Sequence, residues 1–584
     1  MAEYSQASLQ EYINAPLAII KKIFDAKCKD SNATIDELVT STFRSVFDTQ
    51  SKRNQVPLLS DNLKTPICSG SLVRFRCMVQ DSTLGPEMAL KIGEITNALS
   101  GEKYKKVFKY SSDLEDGESI DFNSPQNVYE ERQILYCISI PGESEWVKSG
   151  DYLESHRVPS SSMDRPSQEE SLVFTGLSLD EETQKFVQSR YPIPGEKNAS
   201  AIVKVCAKDD SPKVGDIVEF FGILSLSPEH DNANEFDAVF QIPSSIPTIL
   251  SVFHVQPEPF GLSTIEPSIN EFNDSINSIR SLVINYLASK LHGDMLAAEY
   301  LLLQVISRVT LRKPEIVIGP LSLNISNVPH RPQAIANLPT TLSHSNEFAH
   351  TLTTSLQDIT ERCLGIPLRL ETLNNMPFYP RSENEMLSSG VLQLANGTLL
   401  VIDETVLQEG TLNDTGVKNV AAIHEIIAHQ RLTYAFPFHD FKLNSDLPVL
   451  ILSTAKSFLP AECMLPLQQS NGQHENAVLS DFDLNCIRTY IYALRKIDLE
   501  ISPSIAKHIE ATFVDLRKNS QSKGDKAYTE SDLHHQIKLA RLVSLSFGES
   551  QLSEDSWRHA LRLDEMRRER NLQDLERGSS APER

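Results

Sequence analysis

One short stretch constrains this chain more than any other. Leu399-Leu400-Val401-Ile402 is wholly apolar and ends abruptly in Asp403-Glu404. An apolar run of that length, without alternation, reads as a buried parallel strand covered on both faces. The chain must then supply parallel neighbours for its edges and helices for its faces. The run sits in a longer block from Gly390 to Phe436 that continues, after a loop, as GVKNVAAIHEIIAHQRLTYAF. An acidic pair at a strand's carboxyl end lies where open α/β sheets place their chemistry. In a nucleotide-driven ATPase such carboxylates hold Mg²⁺ and polarise a water.

Little else in the chain would serve that chemistry. A phosphate-cradling loop needs glycines for close backbone approach, then Lys and Ser/Thr. No such pattern occurs. The nearest likeness, Ser453-Thr454-Ala455-Lys456-Ser457, has no glycine. His424-Glu425-Ile426-Ile427-Ala428-His429 spaces its histidines by five residues, which turns them about 140° apart on a helix, so one metal cannot take both. That helix reads instead by its apolar stripe Val420, Ile423 and Ile427. There is no nucleophile elbow, no C-x-x-C pair and no compact histidine cluster. Left without partners, Asp403 and Glu404 read as acids at a strand end that bond to nearby loop N–H groups. No catalytic residue, cofactor or metal is expected.

At 584 residues the chain exceeds what one core organises. Its eight cysteines are scattered, which suits reduced thiols in a cytosolic or nuclear protein. No apolar run approaches the roughly 18 residues of a membrane span, and nothing near Met1 resembles a secretory signal. Lys and Arg number 55 against 78 Asp and Glu, a net charge of −23. That balance opposes sequence-independent nucleic-acid binding and suits a protein partner with basic faces.

Residues 1–56 carry helical stripes: Ile19, Ile20, Ile23 and Phe24, then Leu38, Phe43 and Phe47. From Ser71 to Asp81 the period is two, with Val73, Phe75, Cys77 and Val79 on one face. Ile134–Ile140, Leu172–Phe174, Ala201–Cys206, Ile217–Leu224 and Val252–Val255 are further strand candidates. Barrel-like closure would remove their free edges. Two polar insertions, about 99–127 and 157–170, interrupt this unit, and the Ser- and Pro-rich second one reads as disordered. Arg74 and Arg76 flanking Phe75 admit a single-strand nucleic-acid face; the alternative preferred on charge is an exposed strand edge carrying two arginines. Helices are predicted over Ile276–Lys290 and Met295–Thr310. Strands are predicted at Glu315–Gly319, Leu368–Leu373 and Leu447–Leu452. Residues 326–350 resist assignment. Beyond Ser480 the pattern is helical: Ile487–Arg495, Ser504–Arg517, Ser531–Leu545 and Asp555–Arg568.

The block from Gly390 to Glu404 resembles the Walker B region of minichromosome maintenance (MCM) helicases. Ala422-Ile423-His424-Glu425 with Gln430, then Leu432-Thr433-Tyr434-Ala435, resembles the helix and hairpin strand that follow it there. Val449–Leu452 falls at a sensor strand, and Leu494-Arg495-Lys496 with Leu533–Arg541 resembles the helical lid. The departures are specific. Ile318–Asn324 lacks the P-loop glycines and lysine, Leu459–Leu465 lacks an arginine finger, and Ser531 stands where the lid arginine is expected. This combination, with Leu72–Asp81, Ala298–Leu303 and Leu450–Leu459, resembles the MCM-binding protein family.

The resemblance implies a degenerate relative of the helicase subunits that is not an enzyme. It implies N-terminal helices (1–56), an OB-like β-barrel with insertions (57–256), a degenerate AAA+-like α/β domain without a P-loop (257–479) and a C-terminal helical lid (480–584). Asp403 and Glu404 become an inactive remnant. MCM helicase subunits become the partner, in assembly, nuclear supply or unloading during DNA replication and sister-chromatid cohesion. The implied site of action is the nucleus, with the cytoplasm second. The alternatives are an ATPase with an atypical phosphate loop and an OB-fold single-strand binder.

Overall fold

The first three helices among the described residues are α1 (Leu9–Asn14), α2 (Pro16–Lys27) and α3 (Thr34–Val46), followed by the single turn Gln50–Arg53. Ser8 caps α1 by accepting the Glu11 N–H, and Pro16 opens α2 where a missing N–H costs nothing. Their buried residues, among them Ile19, Ile23, Val39, Phe43 and Phe47, form one apolar cluster. The cluster is completed by Leu72, Phe221, Ile223, Val252 and Phe253 from the sheet beneath. The structure, a computed structural model, describes residues 7–27, 34–60, 66–97, 101–111, 114, 117–148, 173–174, 181–206, 211–226, 242–243, 245–257, 269–313, 316–330, 332–334, 344–383, 386–469, 479–523 and 529–579. The predicted insertion at 157–170 lies outside them.

That sheet contains β1 (Leu72–Asp81), β2 (Pro86–Asn97), β3 (Lys103–Val107), β4 (Glu118–Ile120), β5 (Val128–Ile138), β6 (Ser200–Cys206), β7 (Ile217–Ser225) and β8 (Thr248–Val255). β1 pairs with β7, β7 with β8, β8 with β6, β6 with β5, and β5 back with β1, so the pairings form a closed circuit. Val73, Phe75, Cys77 and Val79 share one buried cluster with Leu135, Val203 and Phe220, as their alternation requires. Two expectations fail here. The polar stretch 99–127 is not a bare insertion, because β3 and β4 in it pair with β2, a strand whose mixed sequence PEMALKIGEITN conceals its period. Arg74 and Arg76 are not on an exposed edge: every residue of β1 is buried, because the N-terminal helices and the 139–148 segment cover its second face. Arg74 pairs with Glu219 at 3.0 Å and Arg76 with Glu143 at 2.8 Å.

Helices α4 (Ile269–Lys290) and α5 (Met295–Ile306) follow, and α5 ends four residues before the predicted Thr310. The next strands are β9 (Leu323–Ser326), β10 (Cys363–Pro367, after α6, Glu347–Ile359), β11 (Arg381–Glu383), β12 (Met386–Ser388) and β13 (Leu399–Asp403). After α7 (Asp414–His429) come β14 (Arg431–Ala435), β15 (Asp440–Asn444), β16 (Val449–Leu452) and β17 (Cys463–Pro466). An all-parallel sheet runs β10-β13-β16-β9-β17. Leu399–Asp403 is thus an interior strand with neighbours on both edges. Its alternate residues enter two cores: Leu399 and Val401 one, Leu400 and Ile402 the other.

Two strand positions shift from expectation. Among the described residues Val317–Ile318 pairs only with Leu311–Arg312, and the sheet strand is Leu323–Ser326, where buried Asn324 and Ser326 mask the apolar signal. Leu370–Asn375 is a helix turn, the strand being Cys363–Pro367 just before it. Four helices close the chain: α8 (Asp481–Lys496), α9 (Pro503–Lys523), α10 (Glu530–Ser546) and α11 (Glu554–Ser579). The molecule is a mixed α/β assembly of several sheets and helices. No helix among the described residues is long and apolar enough to cross a membrane.

Candidate functional site

The carboxyl edge of the parallel sheet gathers the ends of β9, β13 and β16, where an open α/β sheet would hold a ligand. Asp403 is buried there. Its Oδ1 accepts from the Thr405 N–H at 3.0 Å and the Thr405 hydroxyl at 2.6 Å, and its Oδ2 accepts from the Asn346 N–H at 3.0 Å. Asn346 also caps α6 and donates to the Pro329 carbonyl at 2.7 Å and to Thr405 Oγ1 at 3.0 Å. Asp403 therefore ties together the strand end, the following turn and the start of α6.

Glu404 points into a second closed arrangement. Its Oε1 accepts from the Ser457 hydroxyl at 2.5 Å, and Ser457 Oγ in turn accepts from the Leu459 N–H at 2.9 Å. Burial raises the carboxyl pKa above the usual range, with the nearby Asp403 adding to the rise. Ser457 and the N–H groups of Leu459 and Phe458 partly offset it. The Ser453–Ser457 segment is thus used internally: Ser453 Oγ donates to the Ala455 carbonyl at 2.7 Å and receives Asn324 Nδ2 at 3.0 Å.

Ile318–Asn324, the stretch that the resemblance marks for a phosphate loop, runs directly into β9. Asn327 sits in left-handed backbone, φ 60°, and its amide donates to Asp574 of α11 at 2.7 Å. From Asn327 to Leu364 the chain contains neither glycine nor lysine. The segment where a finger arginine was sought presents Glu462, which pairs with Lys538 and His535 of α10. Ser531 is exposed. Arg495 of α8 donates to the Val305 carbonyl at 3.0 and 2.7 Å and to the Gly397 carbonyl at 3.3 Å, so this cation binds backbone. Among the described residues no group of three metal-ligating side chains forms, at His424 and His429 or elsewhere.

A groove of about 760 Å³ beside α4 and α5 is lined by Arg280, Asp294, Glu299 and Arg570, not by the acidic pair. Its charges are paired internally, Arg280 with Glu299 and Arg570 with Asp294. The carboxyl edge thus spends its polar groups on its own chain. Asn346 and Ser457 were not singled out from the sequence. Asn346 carries a signal, an Asn followed directly by a helix-forming run; Ser457 carries none.

A family model described as mini-chromosome maintenance replisome factor matches residues 43–172 and 161–571. The chain belongs to that family. It is 29% identical to the human mini-chromosome maintenance complex-binding protein, covering 96% of this chain and 98% of the relative. The zebrafish (Danio rerio) protein of the same name is 30% identical with the same coverages. The Arabidopsis thaliana one is 28% identical over 91% of this chain and 93% of the relative. Family membership thus extends along the β circuit, the parallel sheet and most of the C-terminal helices.

Proposed function

We propose that this protein is a non-catalytic binding partner of the mini-chromosome maintenance complex. The observation that carries this is its likeness, over nearly its whole length, to proteins named for binding that complex. The closed carboxyl edge supports the non-catalytic part. Phosphoryl transfer needs electrostatic stabilisation of the phosphates, and here Asp403 and Glu404 serve a helix start and a loop. The closed strand circuit supports an OB-type reading of residues 57–256. The parallel sheet with an acidic pair at an interior strand's end supports an AAA+-like reading of residues 257–479, with residues 480–584 as lid.

A protein shaped like a ring subunit, but without nucleotide chemistry, would occupy one face of a subunit without completing the ring. Ring subunits join by heterologous contacts, each offering different faces to its two neighbours. Such a protein would hold subunits for assembly, nuclear supply or unloading, in the service of replication and cohesion. It would act in the nucleus, with a cytoplasmic share during supply. Pull-down of purified MCM subunits by the tagged full chain tests the reading. Recovery of at least one subunit is expected, and recovery of none ends it. Calorimetry with Mg-ATP tests the chemistry: no heat of binding is expected, and saturable Mg-dependent binding would restore an ATPase.

A further inference from the structure

The last turns of α11 face the molecule with their polar side and turn their leucines to solvent. Near its start the helix is ordinary: Trp557, Ala560 and Leu563 enter a buried apolar cluster at the spacing that keeps one face inward. Beyond Asp564 that changes. No apolar cluster among the described residues takes a residue from Glu565 to Glu576. The inward stripe continues as Arg567, Asn571 and Asp574, each partly buried, while Leu572 and Leu575 are 61% and 70% exposed.

The polar seat lies on a strand edge. β17 ends the parallel sheet, so among the described residues only its β9 side is strand-paired. Cys463 and Leu467 donate their N–H groups to the carbonyls of Ser322 and Ser326, so by alternation Met464 and Pro466 face outward. Asn571 donates to the Met464 carbonyl at 3.0 Å and Arg570 to the Pro466 carbonyl at 3.4 Å. Asp574 accepts from Asn327 at 2.7 Å. Arg570 also pairs with Asp294, and with Met566 it lines the groove of about 760 Å³ beside α4 and α5. One short length of helix thus covers a sheet edge and walls a groove. Opening it would exchange these hydrogen bonds for bonds to water, at small net cost. The leucines are already in water and resist nothing. Asp294 would keep the N–H groups of Ala297 and Gln468. The turns before Asp564 cannot leave without baring Trp557 and Leu563, which are fully buried.

We propose that Met566–Glu576 is a releasable strap over the outer edge of β17 and the groove, opening while the rest of the fold stays closed. Amide exchange of the full chain, corrected for intrinsic rates and read by mass spectrometry, tests it. Amides of 566–576 should exchange at least about tenfold faster than those of 556–563. Asn571→Ala with Asp574→Ala should speed exchange further at 566–576 and in peptides covering Met464, with the melting temperature unchanged. Leu572→Lys with Leu575→Lys should leave both rates as they are, since neither leucine holds the seat and the two residue types favour a helix about equally. Equal protection of 566–576 and 556–563 in the unaltered chain overturns the strap, whether or not the variants fold. Exchange unmoved by Asn571→Ala with Asp574→Ala, or hastened by the lysine pair, overturns the polar seat that defines it.

Discussion

Asp403 and Glu404 are adjacent and both buried, yet they respond differently to substitution. Asp403 accepts three hydrogen bonds from buried donors. Asp403→Ala leaves those donors unmet, at about 1–3 kcal/mol for a buried group, and a lowered denaturation midpoint would register it. Partner binding by the folded variant should persist. Glu404 carries a carboxyl whose pKa is raised by burial. The folded chain then holds that proton to higher pH than the unfolded chain does. The resulting stability is present below the ordinary glutamate pKa of about 4.3 and is lost as pH rises through the raised folded value. Glu404→Gln keeps an acceptor for Ser457 and cannot ionise. Thermal melts from pH 4 to 7 should therefore show a flatter profile for the variant, with no loss at neutral pH; a large neutral-pH loss would mean that the charge is required. Arg74 belongs to the same scale. It is fully buried against Glu219 and Asn54, so Arg74→Ala strands a buried charge and should cost roughly 3–5 kcal/mol. Period-two alternation puts Arg74 on the strand face opposite Val73, Phe75 and Cys77. It could not reveal that the opposite face is covered as well, because covering elements from distant sequence leave no mark on a strand's own pattern.

Elements were legible in proportion to how far each made its own local case. β13 is apolar from Leu399 to Ile402, and a run that short suits a buried strand. β9 reads Leu-Asn-Ile-Ser, and its Asn324 is tolerated inside only because Ile451 and Ser453 satisfy it; the strand is therefore invisible until its neighbours are known. The C-terminal helices declare themselves through caps: Thr529 and Asp532 form a reciprocal capping box at α10, and Thr529→Ala should cost about 1 kcal/mol. The N-terminal helices were readable as helices but not as a cover. Phe43 and Phe47 pack, fully buried, in the cluster that contains Phe221 and Phe253 of the strand circuit. Removing residues 1–48 exposes that sheet face. The truncated chain should aggregate on expression, whereas Lys52→Ala, an exposed change, should not. A soluble truncated chain with an unaltered melting curve would show that the helices are dispensable decoration.

At the scale of the molecule, the strand circuit and the parallel sheet do not meet across a loose linker. Trp146 donates to the carbonyls of Gln357 and Thr360, and the Arg488 guanidinium lies 4.3 Å from its ring centre. Gln393 donates to the Gln80 carbonyl at 2.9 Å and also meets Tyr434 and Ser389, all out of water. One apolar cluster takes in Met78, Tyr136 and Ile138 from the circuit together with Leu400, Ile402 and Ile451 from the sheet. Composition alone predicts several domains from 584 residues, and no sequence signal announces that two of the resulting cores fuse. A shared core couples unfolding, because neither side can lose its partner without exposing apolar surface. Calorimetry should therefore show the circuit and the sheet melting in a single transition. Trp146→Ala removes the cation–π contact and two hydrogen bonds at the seam. It should split that transition or lower it as a whole. Two resolved transitions in the unaltered chain, one of them unmoved by Trp146→Ala, would mean that the seam is a contact between independent domains.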